Sequence, residues 1–277
     1  MKLAITGPTS GIGVATVEEL SKKFEVIFLL VRNKAKANKL IPKFSHPGKK
    51  NTFHLVYCDL SDLNSVASAA DFIKGQTNQL DVLINNAGGV GKDRKVTEDG
   101  FESSFSINHL GPFLLTKKLL PLLEKSPSAR IINVSSEAHN VANPDFDDLQ
   151  SEKSYSALSV YANVKLFNIL FTRSLVDKYA DKGIHAFALH PGMVKTSFGS
   201  GFKGIVKWGM KIVKLFLISP KRGAQTSIFL ATDPGVIKHN GAYFKKSKVS
   251  RTSEAADSLE LRNKLWQISE DLIDPWV

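Results

Sequence analysis

Leu3-Ala4-Ile5-Thr6-Gly7-Pro8-Thr9-Ser10-Gly11-Ile12-Gly13 runs from four residues of buried-strand character through a glycine-rich turn into an apolar helical pattern spanning Val14 to Lys23. A strand, a tight turn and a helix in that order form the first half of a βαβ unit. The same alternation continues downstream. Strands are expected at Val26 to Val31, Phe53 to Tyr57, Val82 to Ile84, Arg130 to Val134 and His185 to Leu189. Helices are expected between them at Ala35 to Leu40, Leu63 to Ile73, Phe101 to Leu123 and from the Tyr161 region to Tyr179. The strand segments are continuous Val/Ile/Leu runs rather than alternating ones, as strands covered by helices on both faces require. The fold class is therefore α/β: a single-domain, Rossmann-type, doubly wound parallel sheet with helices on both faces. No Pro/Gly/Ser linker divides the 277 residues, so residues 1–277 read as one domain. Glu137 to Lys153 reads as a polar loop. After Pro191-Gly192 come a second interruption at Gly201 to Ser219, a helix at Lys221 to Thr232, a strand at Ala242 to Phe244 and a helix at Ala255 to Leu272.

The hydrophobic fraction of 43% and charged fraction of 23% are those of an ordinary soluble globular protein. Cys58 is the only cysteine, which excludes an intramolecular disulfide and points to a reducing compartment, the cytoplasm. Gly7 and Pro8 break the first apolar run too early for a signal peptide or membrane anchor. The net charge of +11 raises polyanions as partners. The basic residues are dispersed, however, and no nucleic-acid-reading motif accompanies them, so no nucleic-acid partner is expected.

Glycines in a turn between the first strand and the first helix let the backbone approach a pyrophosphate, and the helix N-terminus offers free N–H groups to it. Gly7, Thr9, Ser10, Gly11, Ile12 and Gly13 are the candidate contacts. A dinucleotide site selective for NAD would place an Asp or Glu at the end of the second strand, to bind the ribose 2′-hydroxyl. That place holds Arg32-Asn33. An arginine there pairs with a 2′-phosphate, which favours NADP(H); a surface arginine ending a strand is the structural alternative.

Tyr161 and Lys165 stand four residues apart at the head of a helix, hence on one face and one turn apart. An ammonium beside a phenol favours the phenolate, which makes the pair a candidate proton-transfer device. On its own, the spacing equally describes a half-buried aromatic beside a solvated amine.

Taken together, the Thr6 to Gly13 turn, Asp59-Leu60, Asn85-Asn86-Ala87-Gly88, Asn108, Ser135-Ser136, Tyr161 with Lys165 and Pro191 to Thr196 resemble the short-chain dehydrogenase/reductase family from Leu3 to about Thr196. Ile107 to Phe113, Arg130 to His139 and Lys165 to Asn168 are similar to its retinol dehydrogenase-type branch, as is the long segment before Tyr161. The resemblance implies an NADP(H)-dependent oxidoreductase acting on a small-molecule carbonyl or alcohol, with no metal. It implies that Tyr161 is the general acid/base, that Lys165 lowers its pKa and holds the nicotinamide ribose, and that Ser136, rather than Ser135, orients the substrate oxygen. It makes Asn108 the anchor of a proton-relaying water. Asp59 and Leu60 would flank the adenine, Asn85, Ala87 and Gly88 would line the cofactor, and Pro191, Gly192, Val194 and Thr196 would lie at the nicotinamide. Members of this family are often homo-oligomers.

Three departures stand out. Val164 replaces a frequent serine, Pro8 removes one backbone donor from the phosphate turn, and the membrane anchor common in the branch is not expected here. A non-catalytic NADP-binding scaffold is the alternative function. The Gly201 to Ser219 segment carries Phe202, Trp208 and Phe216 with Lys203, Lys207, Lys211 and Lys214 at near-helical spacing. It reads three ways: a substrate lid over 197–219 covering a lipophilic pocket, a peripheral membrane contact through 201–219, or a helix packed on the domain.

Overall fold

The computed structural model describes residues 1–46, 48, 50–193 and 218–277. The strands are β1 (Lys2–Thr6), β2 (Val26–Val31), β3 (Thr52–Tyr57), β4 (Val82–Asn85), β5 (Ala129–Val134), β6 (Ile184–His190), β7 (Tyr243–Lys245) and β8 (Lys248–Val249). They form one eight-stranded sheet in the order β3-β2-β1-β4-β5-β6-β7-β8. Neighbours from β3 to β7 are parallel, and β8 closes the edge as a short antiparallel partner of β7. The register places Ile5 beside Leu29 and Ile84, Ile84 beside Ile132, and Ile132 beside Phe187. That row faces one hydrophobic layer, while Ala4, Phe28, Leu83, Ile131 and Ala186 face the other. Burial on both faces explains why the strands read as unbroken apolar runs.

Helices α1 (Gly11–Leu20), α2 (Lys34–Asn38), α3 (Ile41–Phe44), α4 (Leu63–Gln76), α5 (Ser103–Phe105), α6 (Gly111–Leu123), α7 (Ala157–Tyr179), α8 (Pro220–Thr232), α9 (Glu254–Asp257) and α10 (Leu259–Ile273) complete the described layers. Helices α1 and α8 pack together on one side of the sheet. On the other side α4 lies against α6, and α10 against α7. The chain winds outward from β1 to β3, then returns to lay β4 on the opposite flank of β1. This reversal opens a crevice at the carboxyl ends of β1 and β4, where sheets of this kind bind ligands. Among the described residues, no helix is long and apolar enough to cross a membrane.

Three boundaries differ from the sequence reading. The expected Phe101 to Leu123 helix is interrupted by a π turn at Ser106–Leu110. Pro112 offers no N–H to the Asn108 carbonyl, and the Asn108 side-chain amide takes the Ser104 carbonyl (2.7 Å), so the regular ladder cannot continue there. The expected Ala255 to Leu272 helix is split at Ser258, whose hydroxyl caps α10 by accepting from Leu261 N–H (3.2 Å). The Glu137 to Lys153 loop opens with a 3₁₀ helix, Glu137–Val141.

Candidate active site

The glycine turn is shaped by backbone geometry. Gly7 and Gly11 have φ of 65° and 48°, and a Cβ on Gly13 would stand 2.1 Å from the Gly7 carbonyl oxygen. Asn86 holds the turn from the β4 side: its amide donates to the carbonyls of Thr6 (2.9 Å) and Gly7 (3.2 Å). Thr6 Oγ1 in turn accepts from the N–H groups of Asn86 (3.0 Å) and Ala87 (2.9 Å). Ser10 begins α1 without a side-chain cap, and no acid occupies the first turn. The helix therefore presents uncapped N–H groups, and the positive end of its dipole, to the crevice.

At the end of β2, Arg32 is exposed and makes no hydrogen bond or ion pair among the described residues, while Asn33 Oδ1 caps α2 by accepting from Lys36 N–H (2.8 Å). No carboxylate occurs in the sequence from Val26 to Cys58. Asp59 accepts from the backbone and hydroxyl of Ser61 (3.0 and 2.7 Å), and the cap of α4 is Asp62, accepting from Ser65 N–H (3.0 Å). Burial, aided by the nearby Asp59 and Asp62, pushes the Cys58 thiol up to about 12, leaving it inert at neutral pH.

The π turn aims Asn108 into the crevice beside the head of α7. Asn108 donates to the carbonyls of Gly89 (2.6 Å) and Ser104 (2.7 Å), and its Oδ1 accepts from Gly89 N–H (3.1 Å). Lys165 Nζ donates to the same Oδ1 (3.2 Å) and to the Val134 carbonyl (3.1 Å). Gly88 has to lack a side chain here, since a Cβ would lie 2.6 Å from Asn108 Oδ1 and 3.0 Å from Lys165 Nζ. Lys165 is buried, and desolvation lowers its pKa to about 8. Its ammonium lies 5.6 Å from the Tyr161 ring centroid.

Tyr161 and Ser136 share a side-chain hydrogen bond. The Tyr161 phenol stays above the ordinary tyrosine value, because burial outweighs the lowering effect of Ser136; the lowering expected from Lys165 is not what dominates in this structure. Ser135 is oriented differently, its hydroxyl donating to the Lys165 carbonyl (2.6 Å) inside the core. The sequence-predicted Ser136, Tyr161, Lys165, Asn108 and Gly88 thus come together at the carboxyl ends of β4 and β5.

The residues that build this site lie within the reach of a family model. The short chain dehydrogenase model matches residues 2–203. The chain belongs to the short-chain dehydrogenase family. Human retinol dehydrogenase 14 is 36% identical over 291 residues, covering 97% of this chain and 85% of the relative. Human retinol dehydrogenase 12 is 34% identical over 271 residues, covering 98% and 85%. The retinol dehydrogenase-like resemblance of the sequence is borne out. The NADPH-bound carbonyl reductase from chicken fatty liver superposes with a TM-score of 0.67 at 26% identity, covering 90% of this chain and 98% of that one. The family is one of oxidoreductases acting on alcohol and carbonyl groups.

Other predicted residues make contacts within the fold. The Asn85 amide donates to Asn133 Oδ1 (2.8 Å) and Thr116 Oγ1 (3.2 Å), and Asn133 continues to Thr172 Oγ1 (2.9 Å). This polar chain ties β4 to β5, α6 and α7 beneath the crevice. Pro191 and Gly192 follow β6, and Gly192 takes φ 91° against Ile218. Val194, Thr196 and the 197–219 lid fall outside the described residues, apart from Ile218 and Ser219. The sequence reading missed Asn86 as the brace of the phosphate turn and His139 behind Ser136. An asparagine directly after a strand was the only signal for the first.

Proposed function

We propose that this chain is an NADP(H)-dependent oxidoreductase that interconverts a lipophilic carbonyl compound and its alcohol. The observation that carries this reading is the joined set Ser136–Tyr161 and Lys165–Asn108, placed beside an uncapped helix N-terminus and a side-chain-free turn. The residues fit a nicotinamide dinucleotide. The Gly7, Thr9, Ser10, Gly11, Ile12 and Gly13 turn would offer N–H groups to a pyrophosphate, Asp59, Leu60, Asn85, Ala87 and Gly88 would line the cofactor, and Lys165 would hold the nicotinamide ribose. Pro191, Gly192, Val194 and Thr196 would complete the nicotinamide end.

Bound there, the cofactor supplies or accepts the hydride. Tyr161 donates its phenolic proton to the carbonyl oxygen during reduction and takes it back from the alcohol as phenolate during oxidation. Ser136 holds that oxygen through its hydroxyl. Lys165, when charged, favours the phenolate, and Asn108 links Lys165 to the Gly89 backbone as the inner end of a proton path.

Arg32, with the carboxylate-free stretch around it, supports the 2′-phosphate of NADP(H). An apolar rim supports a lipophilic substrate. Val141 and Leu158 are each 70% exposed and Met193 is 52% exposed, and they follow Ser136, precede Tyr161 and follow Pro191-Gly192 respectively. The retinol dehydrogenase relatives carry in their names an alcohol of this class. The reducing setting suited to a lone buried Cys58 supports the cytoplasm. Homo-oligomerisation and a peripheral membrane contact through 201–219 belong to the same proposal. The non-catalytic scaffold has no observation in its favour.

The test is the oxidation of NADPH, with NADH as control, against short and long aldehydes, ketones and retinal. Turnover that is faster with NADPH and rises with apolar chain length is expected. A preference for NADH, or for short polar carbonyls, would overturn the corresponding part.

A further inference from the structure

Ser136 stands on the loop leaving β5, and a hydroxyl that must meet a substrate oxygen needs that loop fixed. The fixing residue is His139. Its ring is completely buried and its Nδ1 lies 2.6 Å from the Ser136 carbonyl oxygen. Its Nε2 faces the N–H of Ser253 at 3.4 Å, and Ser253 Oγ donates to the His139 carbonyl, also at 3.4 Å. A carbonyl on one side and an N–H on the other allow one neutral tautomer, with the proton on Nδ1. The Tyr243 ring packs edge-on against His139, with centroids 4.9 Å apart and planes at 65°. The segment on the far side is itself gripped, because Arg173 donates to Thr252 Oγ1 (3.2 Å) and to the Ala256 carbonyl.

We propose that His139 is a positioning residue for Ser136, donating from Nδ1 to the Ser136 carbonyl and tying the catalytic hydroxyl to the C-terminal segment at Ser253. The proposal rests on the oxidoreductase reading above. It gives the residues beyond β7 a part in catalysis that no active-site contact would reveal. Other charged or titratable groups face the same ring: Glu137 and His190 on the loop and β6, Arg173 on α7, and Tyr243 on β7. Burial holds His139 below the ordinary imidazole value, which favours the neutral ring.

Two variants separate the two ring nitrogens. In His139→Asn the side-chain amide stands where Nδ1 stands and keeps the donor to Ser136, while the Ser253 contact is lost. In His139→Gln the amide reaches only the Nε2 position, and the Ser136 carbonyl loses its side-chain donor, keeping only the backbone N–H of residue 139 at 3.2 Å. With saturating NADPH and a carbonyl the wild type reduces, His139→Gln is expected to lower kcat roughly ten- to a hundredfold with little change in KM, and His139→Asn to restore it to within about threefold. NADPH affinity stays at the wild-type value in both. Equal kcat in wild type and His139→Gln would overturn the proposal, as would equal losses in the two variants that simply follow the loss of Tm.

If the wild type reduces no carbonyl, the proposed function fails, and the Tyr161 titration still decides the role of His139. Ser136 lowers the phenol pKa through its hydrogen bond; of the groups facing Tyr161, Lys165 is untouched by either variant, and Tyr243 loses the same His139 ring in both, so a difference between the two variants reads Ser136. The ultraviolet phenolate signal, taken as a difference against Tyr161→Phe, should move to higher pH in His139→Gln, as in Ser136→Ala, and stay in place in His139→Asn. An unmoved titration in His139→Gln would sink the positioning role.

Discussion

Replacing Lys165 with Met should abolish turnover while leaving the fold as stable as before, or more so. The ammonium is buried and its pKa falls from 10.5 to about 8, so holding it charged at neutral pH costs on the order of 3 kcal/mol. Its two acceptors do not become orphans when it leaves. Asn108 Oδ1 keeps Gly89 N–H at 3.1 Å, and the Val134 carbonyl keeps the Asn168 amide at 3.0 Å. Methionine fills a similar volume without charge. Lys165→Met is therefore expected to gain between zero and about 3 kcal/mol at pH 7, a Tm shift of a few degrees for a chain near this size. The effect has a signed pH dependence. The folded-state pKa lies below the unfolded value, so between pH 8 and 10.5 the unfolded chain binds more protons and wild-type stability rises relative to the variant. Chemical denaturation at several pH values, with NADPH oxidation measured in parallel, reads both quantities. A variant that loses more than about 2 kcal/mol while retaining turnover would refute the reasoning, because a Lys165 that is needed by the fold and not by the chemistry is the opposite assignment.

Arg32→Ala should lower kcat/KM for NADPH relative to NADH by roughly 10- to 100-fold, the worth of one charge-assisted hydrogen bond, in steady-state assays with both cofactors. Gly13→Ala should remove NADPH binding in a fluorescence titration, since its Cβ would sit 2.1 Å from the Gly7 oxygen and force the phosphate turn apart. Trp266→Ala should cost about 3–5 kcal/mol in thermal or denaturant unfolding, because its buried ring packs on Phe113 at 4.9 Å, with turnover per folded molecule unchanged at low temperature.

Much of the fold was legible because a parallel sheet buried on both faces leaves a sequence signature, unbroken apolar runs separated by helical patterns. The Ile5, Leu29, Ile84, Ile132 and Phe187 row and its Ala4, Phe28, Leu83, Ile131 and Ala186 counterpart are the two faces of those runs. The π turn was hidden, since its cause is Pro112 acting at a distance of four residues together with a side-chain bond from Asn108. Ser258 was read as part of one helix because a capping serine and an exposed helical serine look alike without their partners. In the site, Ser136, Tyr161 and Lys165 followed from residue type and order. Asn85 could not be resolved in the same way: its place at the end of β4 suits a cofactor, and residue type does not show that its amide is joined to Asn133 and Thr116. His139 ends a stretch that resembles the branch, but its role left no pattern, because both of its ring partners lie on the backbone and one is more than a hundred residues away.

The central claim is that Tyr161 supplies the proton in a carbonyl reduction, and Tyr161→Phe tests it most directly. NADPH should bind the variant as it binds the wild type, while oxidation of NADPH by a lipophilic aldehyde or ketone falls by about 10²–10⁴-fold, the range for loss of a general acid. Wild-type turnover in Tyr161→Phe would contradict the account.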